Sequence, residues 1–553
     1  MNNDLGGYIS KLVLNNGTIV PLNKDDIVVF VGPNNSGKSQ SLRDIYTGCH
    51  SSENKGVVVS DIELKTSTDG LEDFIAKVAI KNKTNNLFYY RGEYVGGGYN
   101  DKTRFGSYTK VFISFLQTED RLSYCKPQSN IDKGDNVVHP IQLLVEDNGY
   151  CNKISSLFNK AFQQKLYCYP RGKNISLRIG HISETVSSGN RIDIANSVLE
   201  DIGNLPHIEN QGDGMRSFAS ILLSLGIDYK RIHLFDEPES FLHQAQARIM
   251  GRMIGEELKN NQQAFISTHS TDFIKGLLEK AETRVKVIRI TRDGNTNHFH
   301  ILDNHHIEEI CNDEMLKHTN ILEGLFSNRV VVCEGDVDCL LYSSIEEYLM
   351  NKQGHYSESF YLFTGGKSSY RKTLYALQGL NICYKAILDL DAINDLNLIK
   401  GIYETCGGDW DNDLSNEYNT LINWINANGR SLLSKEEARQ VFDNAISKCN
   451  NDLLSPNDIK NIKSSFKNSA IWERVKREGR KAIDDNSVLK AFDNILSTLR
   501  KSSIFLLPVG EIESFIPGIS GHSHGWLQKV LNTYPSFDDS NYDEIKRFVL
   551  LYI

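Results

Sequence analysis

The eight residues Gly32–Ser39, with the sequence GPNNSGKS, constrain the fold of this chain more than any other segment. They fit the phosphate-loop pattern GxxxxGK[ST]; the apolar run Ile27–Phe30 before them predicts a buried strand, and Ser41–Tyr46 after them predicts a helix. Glycines let the backbone wrap a polyphosphate, so that its N–H groups face the negative charge. We expect Lys38 to reach the β- and γ-phosphates of ATP and the Ser39 hydroxyl to ligate Mg²⁺. The nucleotide-binding candidates in this loop are Gly32, Asn34, Asn35, Ser36, Gly37, Lys38 and Ser39.

A second apolar strand ends in the carboxylates that such a loop requires. The segment Arg231–Phe235 runs directly into Asp236 and Glu237. At this position Asp236 is expected in the Mg²⁺ shell, as a Walker-B acid, and Glu237 is expected to orient or deprotonate the attacking water. His269 ends the next predicted strand, Ala264–Thr268, and resembles the switch histidine that senses the γ-phosphate in ABC-type ATPases.

Two weaker signals complete the order of motifs in an ABC-type ATPase. Gln117 follows the apolar run Phe112–Leu116 and is a candidate Q-loop glutamine. Gly212 and Gly214 open a long apolar helix and resemble a divergent ABC signature, which contacts the nucleotide of a partner subunit. The order of motifs resembles the ABC/SMC-like ATPases, in which two heads sandwich two ATP molecules. The resemblance therefore implies a homodimer or a higher even assembly.

A second set of acidic strand ends follows in the last two fifths of the chain. Acids at the ends of neighbouring parallel strands converge on one edge of a sheet, and both carboxylates of a DxD pair point to the same side of an extended backbone. Hard divalent cations favour such oxygen ligands. The constellation resembles a TOPRIM domain, the metal-binding fold of topoisomerases, primases and some nucleases. The acids are Glu334 and Asp338 after the strand Arg329–Cys333, Asp389 and Asp391 after Ala386–Leu388, and Glu511 and Glu513 after Ile504–Leu507; Thr364–Lys367 lies between them.

The pairing of the two motif sets resembles the OLD family (overcoming lysogenization defect), which includes the Gabija nuclease subunit and retron-associated effectors. Its members cut or nick DNA with divalent metal, and many act against bacteriophage. By position, the resemblance implies two Mg²⁺ or Mn²⁺ ions held by Glu334, Asp338, Asp389 and Asp391, with Glu511 or Glu513 as the distal acid. The family also uses a lysine near the end of this domain, for which Lys529 is the candidate. His522 and His524 are set aside, because loop histidines seldom do more than form hydrogen bonds.

These motifs predict an α/β chain with two domains. Residues 1–325 are expected to form an ABC/SMC-like P-loop ATPase head, interrupted at about 120–200 by an inserted helical or dimerisation element. Residues 326–553 are expected to form a TOPRIM α/β domain with a helical insertion at about 400–500. That insertion carries basic and aromatic side chains of the kind that track phosphates: Lys460, Lys463, Phe466, Lys467, Trp472, Arg474, Lys476, Arg477, Arg480 and Lys481.

Composition places the chain among ordinary globular proteins. Its 553 residues, 40% hydrophobic and 24% charged, contain no apolar run long enough for a membrane span. The first residues lack a secretory pattern, and the ten cysteines include no CxxC pair, so we expect a cytoplasmic protein without a zinc ribbon. A net charge of −9 does not indicate nucleic-acid binding. It does not exclude such binding either, because that depends on local patches of positive charge.

The resemblance favours an ATP-binding and ATP-hydrolysing, metal-dependent DNA endonuclease of an antiphage system. Two alternatives stay open at this point. One is an ATP-dependent DNA-binding scaffold whose TOPRIM domain is not catalytic, and the other is a TOPRIM ribonuclease that acts on tRNA. A regulatory defence partner, such as a retron reverse transcriptase with its RNA–DNA, is a further expectation.

Overall fold

The computed structural model divides the chain into two compact units, Met1–Cys311 and Asn312–Ile553. It describes residues 5–553 except 54, 68, 97–102, 132–135, 183–195, 315, 317–318, 430–434, 448–453, 457, 460–461, 463–473 and 476–477. The predicted boundary at residues 325 and 326 falls inside the second unit. The short 3₁₀ helix Ile321–Phe326 explains the difference, because Gly324 packs against Val330 and Ile382 of that unit.

The first unit alternates strands and helices after an antiparallel start. Its strands are β1 (Gly6–Leu14), β2 (Ile19–Pro21), β3 (Ile27–Val31), β4 (Val59–Ser67), β5 (Ile80–Lys81), β6 (Phe88–Tyr90), β7 (Glu93–Val95), β8 (Ile113–Leu116), β9 (Gln128–Ser129), β10 (Lys165–Tyr169), β11 (Asn174–Gly180), β12 (Ile232–Asp236), β13 (Gln263–Ser267), β14 (Val285–Asp293) and β15 (Thr296–Leu302). Its helices are α1 (Lys38–His50), α2 (Leu71–Val78), α3 (Thr109–Phe112), α4 (Thr118–Tyr124), α5 (Pro140–Glu146), α6 (Asn148–Phe162), α7 (Asn196–Asn204), α8 (Asp213–Leu225), α9 (Gln244–Glu257), α10 (Thr271–Ala281) and α11 (Asn304–Asn312).

A six-stranded sheet in the order β15-β14-β3-β13-β12-β8 positions the first site. Strands β14, β3, β13, β12 and β8 are mutually parallel, and only β15 runs antiparallel at the edge. The central strand β3 has the sequence IVVFV and is buried at every position, as expected for a parallel strand covered on both faces. Since these strands are parallel, the segments that follow β3, β8, β12 and β13 all leave the sheet at the same edge.

The inserted region contains the predicted helices and also strands that helical periodicity did not predict. Helices α5 and α6 lie within it, but β10 and β11 form an antiparallel pair that continues to β9. Alternation of buried and exposed positions along β10 accounts for this, because one face of that strand packs inward. Two further antiparallel sheets, β2-β1-β4 and β5-β6-β7, belong to the same unit.

The second unit is built on a four-stranded parallel sheet, in the order β17-β16-β18-β19. The strands are β16 (Arg329–Cys333), β17 (Ser359–Phe363), β18 (Tyr384–Leu388) and β19 (Ile504–Leu506). The helices are α12 (Asp336–Lys352), α13 (Tyr370–Gly379), α14 (Leu396–Thr405), α15 (Trp410–Asp413), α16 (Ser415–Gly429), α17 (Lys435–Ile446), α18 (Asn486–Lys501), α19 (Ser523–Thr533) and α20 (Asp543–Val549).

The described part of the segment between β18 and β19 is mainly helical, in agreement with the helical insertion predicted for about 400–500. Helices α14 to α18 all lie between those two strands, which nevertheless pair directly, with Ala386 opposite Ile504. The core of the unit packs α12, α19 and α20 against the sheet, with Trp526 fully buried. Among the described residues, no helix has both the length and the apolar character needed to cross a bilayer.

Candidate nucleotide and metal sites

The loop between β3 and α1 has the backbone that its glycines permit. Gly32 has a φ of 146°, and a Cβ there would lie 2.0 Å from the Ile290 carbonyl oxygen of the neighbouring strand. Gly37 has a φ of 107° and directly precedes α1. Both conformations favour glycine, so a side chain at either position would displace the loop. The loop thus brings the residues from Gly32 to Ser39 to the N-terminus of α1.

The Lys38 ammonium lies inside this loop and is held by backbone oxygens. Its Nζ donates to the carbonyls of Gly32 at 2.8 Å and Pro33 at 2.7 Å. Burial lowers the pKa of Lys38 to about 8, against the opposing attraction of Glu237 and Asp236. Ser36 Oγ is buried and has no hydrogen-bond partner in the described part of the chain. A buried cation and an unpartnered hydroxyl in a loop of this shape fit a bound polyphosphate.

The two acids after β12 face the same edge. Ser267 Oγ donates to a carboxylate oxygen of Asp236. Glu237 has a φ of 49°, a strained value for a residue other than glycine, and its N–H donates to the Ser267 carbonyl at 2.9 Å. Its carboxylate lies 3.6 Å from His269 Nε2. Burial, together with the positive charge of Lys38, lowers the pKa of His269. The structure therefore brings Lys38, Asp236, Glu237 and His269 together, and their roles toward ATP stay predictions.

Glu239 is a site residue that the sequence analysis did not name. Its Oε1 accepts from Thr268 Oγ1 and from the His269 N–H, both at 2.8 Å. Burial raises the pKa of Glu239, although these hydrogen bonds favour the carboxylate. Glu239 therefore anchors the backbone at His269. The signal was present in the sequence, two residues after Glu237 in the run DEPE.

Arg121 was also missed, because nothing in its local sequence distinguishes it from a surface arginine on α4. Its side chain is fully buried. The guanidinium donates to the carbonyl of Asp236, to the carbonyl of Glu237 at 2.9 Å, and to Ser217 Oγ at 2.9 Å. Arg121 thus joins the segment after Gln117 to the acidic strand end and to α8.

The remaining nucleotide candidates lie beside this cluster. Gln117 is half-buried at the carboxyl end of β8 and directly precedes α4. Gly214 lies at the start of α8, where a Cβ would come within 2.5 Å of the Phe241 carbonyl oxygen. Gly212 has no such neighbour. The contact of Gly212 and Gly214 with the nucleotide of a second subunit stays a prediction.

In the second unit, the acids that follow the parallel strands lie at one edge of the sheet, where those strands end. Glu334 follows β16, Asp389 follows β18, and the Leu390 N–H donates to the Gly510 carbonyl at 2.9 Å, which brings the DxD pair beside Glu511. The Lys367 ammonium contacts Asp391 and lies 3.9 Å from Glu334 Oε2. A protein cation therefore stands between two predicted metal ligands. A site that attracts an ammonium in this way fits a divalent cation.

Burial and neighbouring negative charges both raise the pKa of two half-buried acids at this edge. Burial raises the pKa of Asp338 to about 6, and the carboxylates of Glu513 and Asp336 add to the effect. Burial likewise raises the pKa of Asp389 well above its usual range, with Asp338 and Glu334 adding repulsion. Carboxylates crowded in this way favour protons or metal ions as partners. Glu334, Asp338 and Asp389 thus lie close enough for their charges to interact, and their role as metal ligands stays a prediction.

The two histidines that the sequence analysis set aside both lie against acids. His522 Nδ1 is 3.1 Å from Glu513 Oε1, and His524 Nε2 is 3.2 Å from Asp336 Oδ2. Lys529 is exposed, and its Nζ donates to the Ser520 carbonyl at 3.2 Å. Lys367 contacts the predicted metal ligand Asp391, whereas the catalytic role of Lys529 stays a prediction.

Most of the predicted basic surface lies outside the described residues, namely Lys460, Lys463, Phe466, Lys467, Trp472, Lys476 and Arg477. Two described members are paired with acids. Arg474 bonds Glu478 at 3.1 Å, and Arg480 forms a two-pronged pair with Asp493 at 2.9 Å. The prediction of phosphate contact at this surface stays a prediction.

Two family models match parts of the chain, one in each unit. A family model described as "AAA domain, putative AbiEii toxin, Type IV TA system" matches residues 136–274. A model described as "Overcoming lysogenization defect protein-like, TOPRIM domain" matches residues 325–391. The chain is 34% identical over 87 residues to the uncharacterized protein MJECL11 of Methanocaldococcus jannaschii, a match that covers 15% of this chain and 76% of that protein.

Solved SMC heads are among the structures that the chain matches, at low identity and with low TM-scores. The SMC head bound to the C-winged helix domain of ScpA is 13% identical, with a TM-score of 0.35, and the match covers 55% of this chain and 100% of that one. The SMC head domain of Thermotoga maritima is 12% identical, with a TM-score of 0.28, and the match covers 54% and 98%.

The family models confirm the predicted fold class, an α/β ATPase head followed by a TOPRIM domain. Together the two domains support an ATP-dependent function of the nuclease type. With an ATPase domain that precedes an OLD-like TOPRIM domain, the chain matches the ATPase–TOPRIM fusions of the OLD family.

Proposed function

We propose that the protein is an ATP-regulated, divalent-metal-dependent endonuclease that acts on DNA. The observation that supports this most directly is the cluster of Glu334, Asp389 and Asp391 around the Lys367 ammonium. Carboxylates at the carboxyl ends of parallel strands are placed to hold cations against a phosphodiester, because substrates bind in the crevice at that edge.

The acids of the second unit would hold divalent cations in two positions. Two divalent ions bound there, Mg²⁺ or Mn²⁺, would activate a water and stabilise the leaving oxygen of an in-line displacement. Glu334, Asp389 and Asp391 would hold one position, and Glu511 or Glu513 the other. Asp338, whose Oδ2 accepts the Gly335 N–H at 2.9 Å, fixes the turn after Glu334 and adds negative charge.

The head supplies regulation through ATP. Lys38 would exchange its carbonyl partners for phosphate oxygens, and Ser39 with Asp236 would hold the accompanying Mg²⁺. Glu237 is placed to orient or deprotonate the attacking water, within reach of His269. In a homodimer, Gly212 and Gly214 of each head would face the nucleotide of the other, so that ATP controls the pairing of heads and thereby cleavage. Gln117, which directly precedes α4, would couple the presence of the nucleotide to the position of that helix.

An antiphage role and a regulatory partner belong to the same proposal. They rest on the resemblance to OLD-family defence nucleases. A retron reverse transcriptase with its RNA–DNA is an expectation that the comparisons do not support.

The experiment that tests the function offers two substrates to the purified full chain. Supercoiled plasmid and total tRNA are incubated with Mg²⁺ or Mn²⁺, with and without ATP, and the products are resolved by electrophoresis. We expect plasmid nicking or cutting that Glu334→Ala lowers by at least about 100-fold, because a metal ligand is lost. Glu347→Ala, which removes an exposed glutamate from α12, is the matched control and should cleave as wild type.

Two other outcomes would overturn the proposal. Cleavage of tRNA alone would identify a ribonuclease. Binding of DNA with no cleavage of either substrate would identify a scaffold with a non-catalytic TOPRIM domain.

Glu237→Gln is expected to separate ATP binding from hydrolysis. The amide keeps the shape of the side chain but is not a base, so hydrolysis should fall by about 10²–10⁴-fold while ATP affinity stays within about threefold of wild type. Phosphate release and binding of a fluorescent ATP analogue measure the two quantities. Glu119→Gln, at an exposed position on α4, controls for loss of charge. Hydrolysis at the wild-type rate would show that Glu237 does not act on the attacking water.

A further inference from the structure

A mixed carboxylate and imidazole cluster lies at one side of the acidic edge. One ligand atom each from Glu511, Glu513 and His522 lie within 4.8 Å of one another. Among the described residues, no other group of three potential ligands of this kind meets that distance. The two acids flank Ile512 at the start of a short 3₁₀ helix, and His522 directly precedes α19. Two separate segments of chain therefore converge on this point.

The donor set differs from that of the neighbouring acids. Glu334, Asp389 and Asp391 offer only carboxylate oxygens, which suit Mg²⁺. Glu511, Glu513 and His522 add an imidazole nitrogen, which transition-metal ions accept more readily than Mg²⁺ does. Three side-chain ligands also leave positions open for water or for an oxygen of the substrate.

We propose that Glu511, Glu513 and His522 form a transition-metal position, and that His522 determines its preference for Mn²⁺ or Zn²⁺ over Mg²⁺. The two cation positions of the TOPRIM edge then differ in chemistry, one all-oxygen and one with nitrogen. The bearing on cleavage rests on the proposed nuclease function, whereas the binding of metal does not.

His524 provides a matched control within the same loop. It lies two residues from His522 and also contacts a carboxylate, Asp336, at 3.2 Å. Unlike His522, it is not part of the three-ligand group. If the histidines act only through general electrostatics, substitution of either one should change metal binding equally. If His522 is a metal ligand, only its substitution should weaken binding.

The test is Mn²⁺ binding to the full chain, followed by electron paramagnetic resonance, with no substrate present. We expect wild type to bind Mn²⁺ in competition with excess Mg²⁺ and to show the nitrogen coupling of a coordinated imidazole in electron spin echo spectra. His522→Ala should lose that coupling and at least about tenfold in Mn²⁺ affinity, the loss expected when a metal site is damaged. His524→Ala should retain both. His522→Gln, which keeps hydrogen-bonding ability, should behave as His522→Ala.

Two results would overturn the proposal: bound Mn²⁺ without nitrogen coupling in wild type, or coupling that persists in folded His522→Ala and His522→Gln. The outcome is independent of the endonuclease assay. A chain that binds nitrogen-coordinated Mn²⁺ but cuts neither plasmid nor tRNA would support the metal position and refute the proposed function.

Discussion

Replacing Arg121 with alanine is expected to destabilise the first unit and to abolish most ATP hydrolysis. The change leaves the carbonyls of Asp236 and Glu237 without their buried donor. Hydrogen bonds to charged groups contribute about 1.5–3 kcal/mol each, so we expect the free energy of unfolding to fall by roughly 3 kcal/mol or more. Misplacement of Glu237 by about 1 Å would lower hydrolysis by about 100-fold.

Denaturant unfolding and phosphate release measure these two effects. Arg121→Lys keeps the charge but cannot reach all the acceptors, so it should fold, bind ATP and still hydrolyse it at least about tenfold more slowly. Arg43→Ala, at an exposed position on α1, is the control for loss of an arginine. Wild-type hydrolysis in Arg121→Lys would show that the guanidinium is only a packing element.

Lys38→Ala is expected to abolish ATP binding, with affinity lowered by at least about 100-fold. The ammonium is the buried cation of the phosphate loop, and its two contacts are carbonyl oxygens that phosphate oxygens can replace. Titration with a fluorescent ATP analogue measures the loss. Lys24→Ala, which removes an exposed lysine before β3, should bind as wild type. Unchanged affinity in Lys38→Ala would refute the assignment of the head.

The same lysine predicts a pH dependence of ATP affinity. Burial lowers the pKa of Lys38 to about 8 in the nucleotide-free head, and a bound polyphosphate favours the protonated form. Binding below about pH 7 therefore needs no proton, whereas binding above about pH 8 takes one up. Affinity should be flat below the first value and fall by up to about tenfold per pH unit above the second. Constant affinity from pH 7 to pH 9.5, measured by the same titration, would contradict the lowered pKa.

The sequence predicted those parts of the sites that lie next to one another along the chain. The phosphate loop and the acids that follow β12, β16 and β18 each combine a strand with its terminal residues, so local pattern and parallel topology were sufficient. Arg121 could not be predicted, because its acceptors lie 115 and 116 residues away along the chain. Its function depends on tertiary packing that no local spacing records.

The acidic surroundings of His522 and the strands of the inserted region were not predicted, for different reasons. His522 was judged by residue type and loop position, and its neighbours Glu511 and Glu513 are brought to it by the turn before α19. Strand β10 alternates in burial and β11 does so only in part, and the helices before them dominated the periodicity of the region. The secondary structure was therefore predicted best where a motif fixed it.

The lysine that follows β17 has a consequence for how the second unit acquires its ions. Lys367 lies between Glu334 and Asp391, so the loading of a divalent cation at the proposed site would be an exchange with the ammonium and not a simple addition. The free energy of the displaced ammonium contacts is subtracted from that of coordination, which raises the ion concentration needed for half-occupancy. Gly365 and Gly366, which directly precede the lysine, both have a positive φ that favours glycine, so a side chain at either position would strain the loop that presents Lys367.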